Sequence, residues 1–104
     1  TSSAIYFKVK GPKVPLIQID LSSYKGKIKR ISKTIGENNI VNLEEDLYSV
    51  YLPIKSFNNY ESLDWSKIKD IRFKFLESAN IDLGDFKIVE FRGNPNYPNK
   101  WRGI

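Results

Sequence analysis

Between Leu47 and Phe75 the chain places apolar side chains at every second position in two separate stretches, a period that suits extended strands with one buried face. In the first, Tyr48, Val50, Leu52 and Ile54 alternate with Ser49, Tyr51 and Pro53; in the second, Ile71, Phe73 and Phe75 alternate with Arg72, Lys74 and Leu76. Each strand therefore has one greasy face and one of aromatic and charged groups. The same period recurs nearer the N-terminus. Ile5, Phe7 and Val9 alternate with Tyr6, Lys8 and Lys10 until Gly11-Pro12 breaks the run, and Ile17, Ile19 and Leu21 alternate with Leu16, Gln18 and Asp20, with Pro15 where a strand begins.

Lys27 to Ile35 reads as a weaker strand that stops at Gly36-Glu-Asn-Asn39, and Phe86 to Phe91 as a last one. Ile40 to Asp46 reads as a connection, its Glu44-Glu45-Asp46 triplet a solvated turn. Asp64 suits the cap of a single helical turn through Ile68, because its carboxylate can accept from the unpaired amides that begin such a turn. Trp65 and Ile68, three positions apart, then fold back on the core. Residues 92–104, rich in Gly, Pro and Asn, read as an irregular tail. No stretch sustains a helical period beyond about two turns, so the expected class is all-β: one antiparallel β-sandwich domain over residues 1–104, with its strands between 4 and 91.

Composition narrows what such a domain can do. At 104 residues and 40% hydrophobic the chain supports one modest core. With no Cys and no His it has no disulfide, no thiolate metal site and no imidazole base. Freedom from Cys fits both a cytosolic protein and an exported one that does without disulfides. No motif arranges Glu44, Glu45, Asp46, Asp82, Asp85 or Glu90 as an acid and base pair, and Gly26-Lys27 lacks the Ser or Thr of a phosphate loop. A non-catalytic role is expected. No segment approaches the roughly 18 apolar residues of a membrane-crossing helix, and no membrane partner is expected. The absence of Met means that the sequence carries no initiator, and it is expected to be a processed or excised piece.

The formal charge of +5 permits an anionic partner. Lys25, Lys27 and Lys29, alternating with Gly26, Ile28 and Arg30, read as the solvated side of a strand in preference to a nucleic-acid patch. The positive signal is aromatic. Tyr6, Tyr51, Tyr60, Tyr97 and Trp101 fall on outward faces or loops, where rings can stack on a pyranose while Arg, Lys, Gln and Asp bind its hydroxyls. The same rings could stack bases or pack on their own loops.

The order of four segments carries a resemblance: Ala4-Ile-Tyr-Phe-Lys-Val-Lys-Gly11, Val50-Tyr-Leu-Pro-Ile-Lys-Ser-Phe57, Asp64-Trp-Ser-Lys-Ile-Lys-Asp-Ile-Arg-Phe-Lys-Phe75 and Ile81-Asp-Leu-Gly-Asp-Phe-Lys-Ile88. It resembles the latter two-thirds of jelly-roll carbohydrate-binding modules of the galactose-binding-domain-like type, which are attached to bacterial plant-cell-wall hydrolases. The resemblance implies a secreted or cell-surface bacterial protein that holds a polysaccharide on a concave sheet face, with Tyr6, Gln18, Arg30, Tyr51, Arg72 and Lys74 as the binding residues and Trp65 in the core. It also implies a structural calcium, for which Asp85 is the candidate ligand, although Gly84 stands where the family often has a second carboxylate. Family members have one or two strands before the position of Ile5. The resemblance therefore implies a sandwich truncated at its N-terminus, which is a shortened domain, a domain completed by an N-terminal chain or fragment as a partner through strand addition, or a proteolytic piece. The rival readings are a structural or protein-interaction sandwich and a single-stranded nucleic-acid binder.

Overall fold

In the computed structural model, which describes residues 2–24 and 28–91, the alternating stretches form seven strands in two antiparallel sheets. They are β1 (Ser2–Lys10), β2 (Ile17–Tyr24), β3 (Ile28–Thr34), β4 (Ile40–Glu44), β5 (Leu47–Pro53), β6 (Ile68–Phe75) and β7 (Asp82–Phe91). One sheet has the order β4-β5-β1-β7 and the other β3-β2-β6. The chain is an all-β sandwich. Lys25, Lys27 and the tail 92–104, with Tyr97 and Trp101, lie outside the described residues.

Parity along each strand decides what is buried. Ile5, Phe7 and Val9 of β1 and Val50 and Leu52 of β5 meet Ile17, Ile19 and Leu21 of β2 and Ile31 of β3 in one core, with Phe57 and Leu63 closing it. Burying each of these side chains contributes about 1.5–3 kcal/mol relative to leaving it in water. Phe73 of β6 bridges the layers. Its ring meets Phe7 edge-on at 5.2 Å and Phe86 of β7 at 6.0 Å, so β6 lies across from β1 and β7.

The stretch expected to be a connection at Ile40 to Asp46 is a strand for most of its length. β4 pairs with β5 from Ile40↔Val50 onward, and only Glu45 and Asp46 form the turn, Asp46 with φ 60°. The buried Asn39 fixes its start: the side-chain amide donates to the Tyr51 carbonyl at 3.0 Å, and its oxygen accepts from the Gly36 amide at 2.9 Å. β7 likewise begins four residues before the expected Phe86.

Asp64 does precede a short turn, the 3-10 turn Trp65–Lys67, and the Lys67 amide donates to the Asp64 carbonyl at 2.9 Å. The turn is tied to the second sheet by Ser23, whose buried hydroxyl accepts from the Asp64 amide at 3.0 Å. Trp65 packs against the core beside Phe57, and its indole N–H donates to the Tyr60 carbonyl at 2.9 Å.

Candidate binding face

The outward residues of β2, β3 and β6 align in cross-strand rows, because antiparallel partners directly opposite each other point to the same side. Thr34, Gln18 and Lys74 form one row, Ser32, Asp20 and Arg72 the next, and Arg30, Ser22 and Asp70 a third, with Ile28 beside Tyr24 beyond them. Rows lie about 7 Å apart along the strands and neighbours within a row about 5 Å apart.

Asp20 organises this surface. Its Oδ1 accepts from the Ser32 hydroxyl at 2.6 Å and from the Gln18 side-chain amide at 2.8 Å. These two hydrogen bonds, helped by the charges of Arg30 and Lys74, hold its carboxyl below the usual aspartate range. Among the described residues, Arg30, Arg72 and Lys74 form no ion pair. The face therefore offers cationic donors around a fixed carboxylate, with the exposed Tyr24 and Ile28 at one end. That combination can hold a ligand's hydroxyls and cover an apolar patch of it.

Four of the six expected binding residues, Gln18, Arg30, Arg72 and Lys74, meet here. Tyr6 and Tyr51 do not. They belong to the other sheet, opposite each other on β1 and β5, and point away from the core on the far side of the sandwich. The expectation of one surface shared by all six is thus corrected: alternation tells which side of a strand faces out, and these strands lie in different layers.

Their surroundings also make them poor stacking platforms. Tyr6 is only 8% exposed and packs with Ala4, Val89 and Tyr51 in a small second cluster. The Tyr51 ring meets it edge-on at 5.0 Å, and the Lys87 ammonium lies 5.0 Å over its ring centre, a cation–π position that occupies one face. Burial pushes the Tyr6 phenol above its ordinary pKa.

Asp85 sits at a bulge on β7, with φ 51°, where the β1–β7 register shifts between Tyr6 and Lys8. Its carboxylate pairs with Lys8 at 3.2 Å, a contact that raises the Lys8 pKa. Among the described residues no group of three acidic, His or Cys side chains converges to hold a metal ion.

The expected site omitted Asp20, Ser32 and Tyr24. Asp20 and Tyr24 carry a sequence signal, since they share the outward parity of Gln18 on one strand; Ser32 shares that of Arg30. The Ser32–Asp20 hydrogen bond depends on β3 lying beside β2, which parity does not encode. No protein-family model, curated protein or solved structure matches the chain.

Proposed function

We propose that this β-sandwich is a non-catalytic carbohydrate-binding module that presents the outer face of β3-β2-β6 to a polysaccharide. The observation that supports it is the array centred on Asp20: Ser32 and Gln18 fix the carboxylate, Arg30, Arg72 and Lys74 surround it without ion pairs among the described residues, and Tyr24 stands exposed at the end. Such a surface binds hydroxyls through charge-assisted hydrogen bonds and stacks a ring on the tyrosine. It would concentrate a secreted bacterial polysaccharide-degrading enzyme on its substrate.

Affinity electrophoresis through gels containing β-glucan, xylan or mannan tests the reading. Retardation on at least one glycan, lost in Arg72→Ala and in Tyr24→Ala, is the expected result. Unretarded migration on every gel by a folded protein overturns it. Retention that collapses steeply with added salt on single-stranded nucleic acid, with none on glycan, would favour the nucleic-acid reading instead.

A further inference from the structure

At Phe86, Ile88 and Val89 of β7 burial runs opposite to what the direction of each side chain predicts. Ile88 stands opposite Ile5 and so faces the layer between the sheets, yet it is 48% exposed where Ile5 is 1% exposed. Its neighbour Val89 points outward and is fully buried. Phe86, which reaches Phe73 in the interior, is also half-exposed, as is Phe75 at the end of β6. The cause lies in the strand count. The β4-β5-β1-β7 sheet has one strand more than the sheet facing it, and β6 ends that smaller sheet, so among the described strands none lies across from the outer half of β7.

Among the described residues the backbone of β6 pairs with β2 alone and is open on the same side. The Leu76 amide donates to the Leu16 carbonyl at 2.9 Å, which sets the phase of the β2–β6 ladder. Because bonded and non-bonded pairs alternate in an antiparallel ladder, Lys74 and Arg72 bond to β2, while the amides and carbonyls of Ile71, Phe73 and Phe75 turn toward the free edge.

We propose that this edge accepts an extended strand from a separate partner polypeptide, a strand with apolar side chains facing inward and acidic ones facing outward. The inward residues would cover Phe86 and Ile88, and the outward ones would lie beside Arg72 and Lys74, which have no ion pair among the described residues. Charge selects against a second copy of this chain. Pairing β6 with another β6 would set two strands against each other that each carry three cations, Lys69, Arg72 and Lys74, and one acid, Asp70, and this excess of like charge disfavours the pairing. The added strand would lengthen the smaller sheet and leave the row of Ser32, Asp20 and Arg72 nearer its centre.

Amide exchange followed by NMR, with a synthetic peptide alternating valine and glutamate as the probe, tests the proposal on the whole chain. At saturating peptide the amides of Ile71, Phe73 and Phe75 are expected to slow by about tenfold or more, while those of Arg72 and Lys74 change little. The Ile88→Glu variant, altered at a half-exposed position, is expected to keep the fold and lose the effect. Unchanged exchange at those three amides overturns the proposal, as does equal protection by a valine and lysine peptide. Protection of the same amides without peptide, in a protein that sediments as a dimer, overturns it in favour of a second copy. Protection that persists in Ile88→Glu also overturns it.

Discussion

The Ser32 hydroxyl donates to Asp20 Oδ1 across 2.6 Å from the neighbouring strand, and this bond is the largest cause of the lowered Asp20 pKa, ahead of the Gln18 amide. A carboxyl whose folded pKa is depressed adds stability that is complete above its unfolded value of about 3.9 and is lost as pH falls through the folded value. The difference in urea midpoint between the native protein and Asp20→Asn is therefore expected to be constant above about pH 5 and to shrink on further acidification. A gap unchanged down to about pH 2 would show that the carboxylate charge contributes nothing.

Tyr6 and Tyr24 are expected to behave in opposite ways. Tyr6→Ala empties a packed cluster and should cost about 2–4 kcal/mol of stability while leaving glycan retention intact. Tyr24→Ala should alter stability by no more than about 0.5 kcal/mol and weaken retention. Urea denaturation and affinity electrophoresis of the two variants separate the roles, and the reverse pattern would return the site to the larger sheet.

Ser49 on β5 is fully buried, and its hydroxyl has no hydrogen-bond partner among the described residues. An unsatisfied buried hydroxyl retains its desolvation cost, so Ser49→Ala is expected to be neutral or to raise stability by up to about 1 kcal/mol. A loss larger than that in urea unfolding would mean that the hydroxyl is satisfied in solution.

Phe7 is 1% exposed and carries the contact between layers through Phe73. Phe7→Ala should cost about 3–5 kcal/mol, enough to unfold a marginal domain of this size, whereas Phe7→Leu should cost about 1–2 kcal/mol. Circular dichroism and urea midpoints for both variants check the order.

Asp85 should not respond to calcium. With Lys8 on its carboxylate and no group of three acidic, His or Cys side chains among the described residues, millimolar calcium is expected to leave Tm unchanged. The exposed pair itself should contribute little, so the urea midpoint of Asp85→Asn is expected to stay close to that of the parent chain. A calcium-dependent rise in Tm that Asp85→Asn abolishes would make Asp85 a calcium ligand.

The strands and their buried sides were legible because β1, β2, β5 and β6 repeat Ile, Val, Leu or Phe at strict alternate positions, and such a pattern buries well in only one way. β4 was not legible. Its outer residues Asn42, Leu43 and Glu44 are exposed on an edge strand, so nothing forces a contrast between its faces. The same limit governed the site. Arg72 and Tyr51 both read as outward, but which layer a strand joins is decided by pairings far along the chain, such as Asp20 with Arg72 and Tyr6 with Tyr51. Nothing local to Asp20 announces its bond to Ser32, which arises only because β3 pairs with β2.

β1 lies between β5 and β7, so that Ile5 meets Leu52 on one side and Ile88 on the other. A strand flanked only by much later parts of the chain gains nothing from its sequence neighbours, and closing such long loops before any pairing is gained slows folding. During synthesis β1 would wait with both its edges open until β5 and then β7 emerge. The interval in which this chain is most prone to aggregate is thus set by the order of its strands.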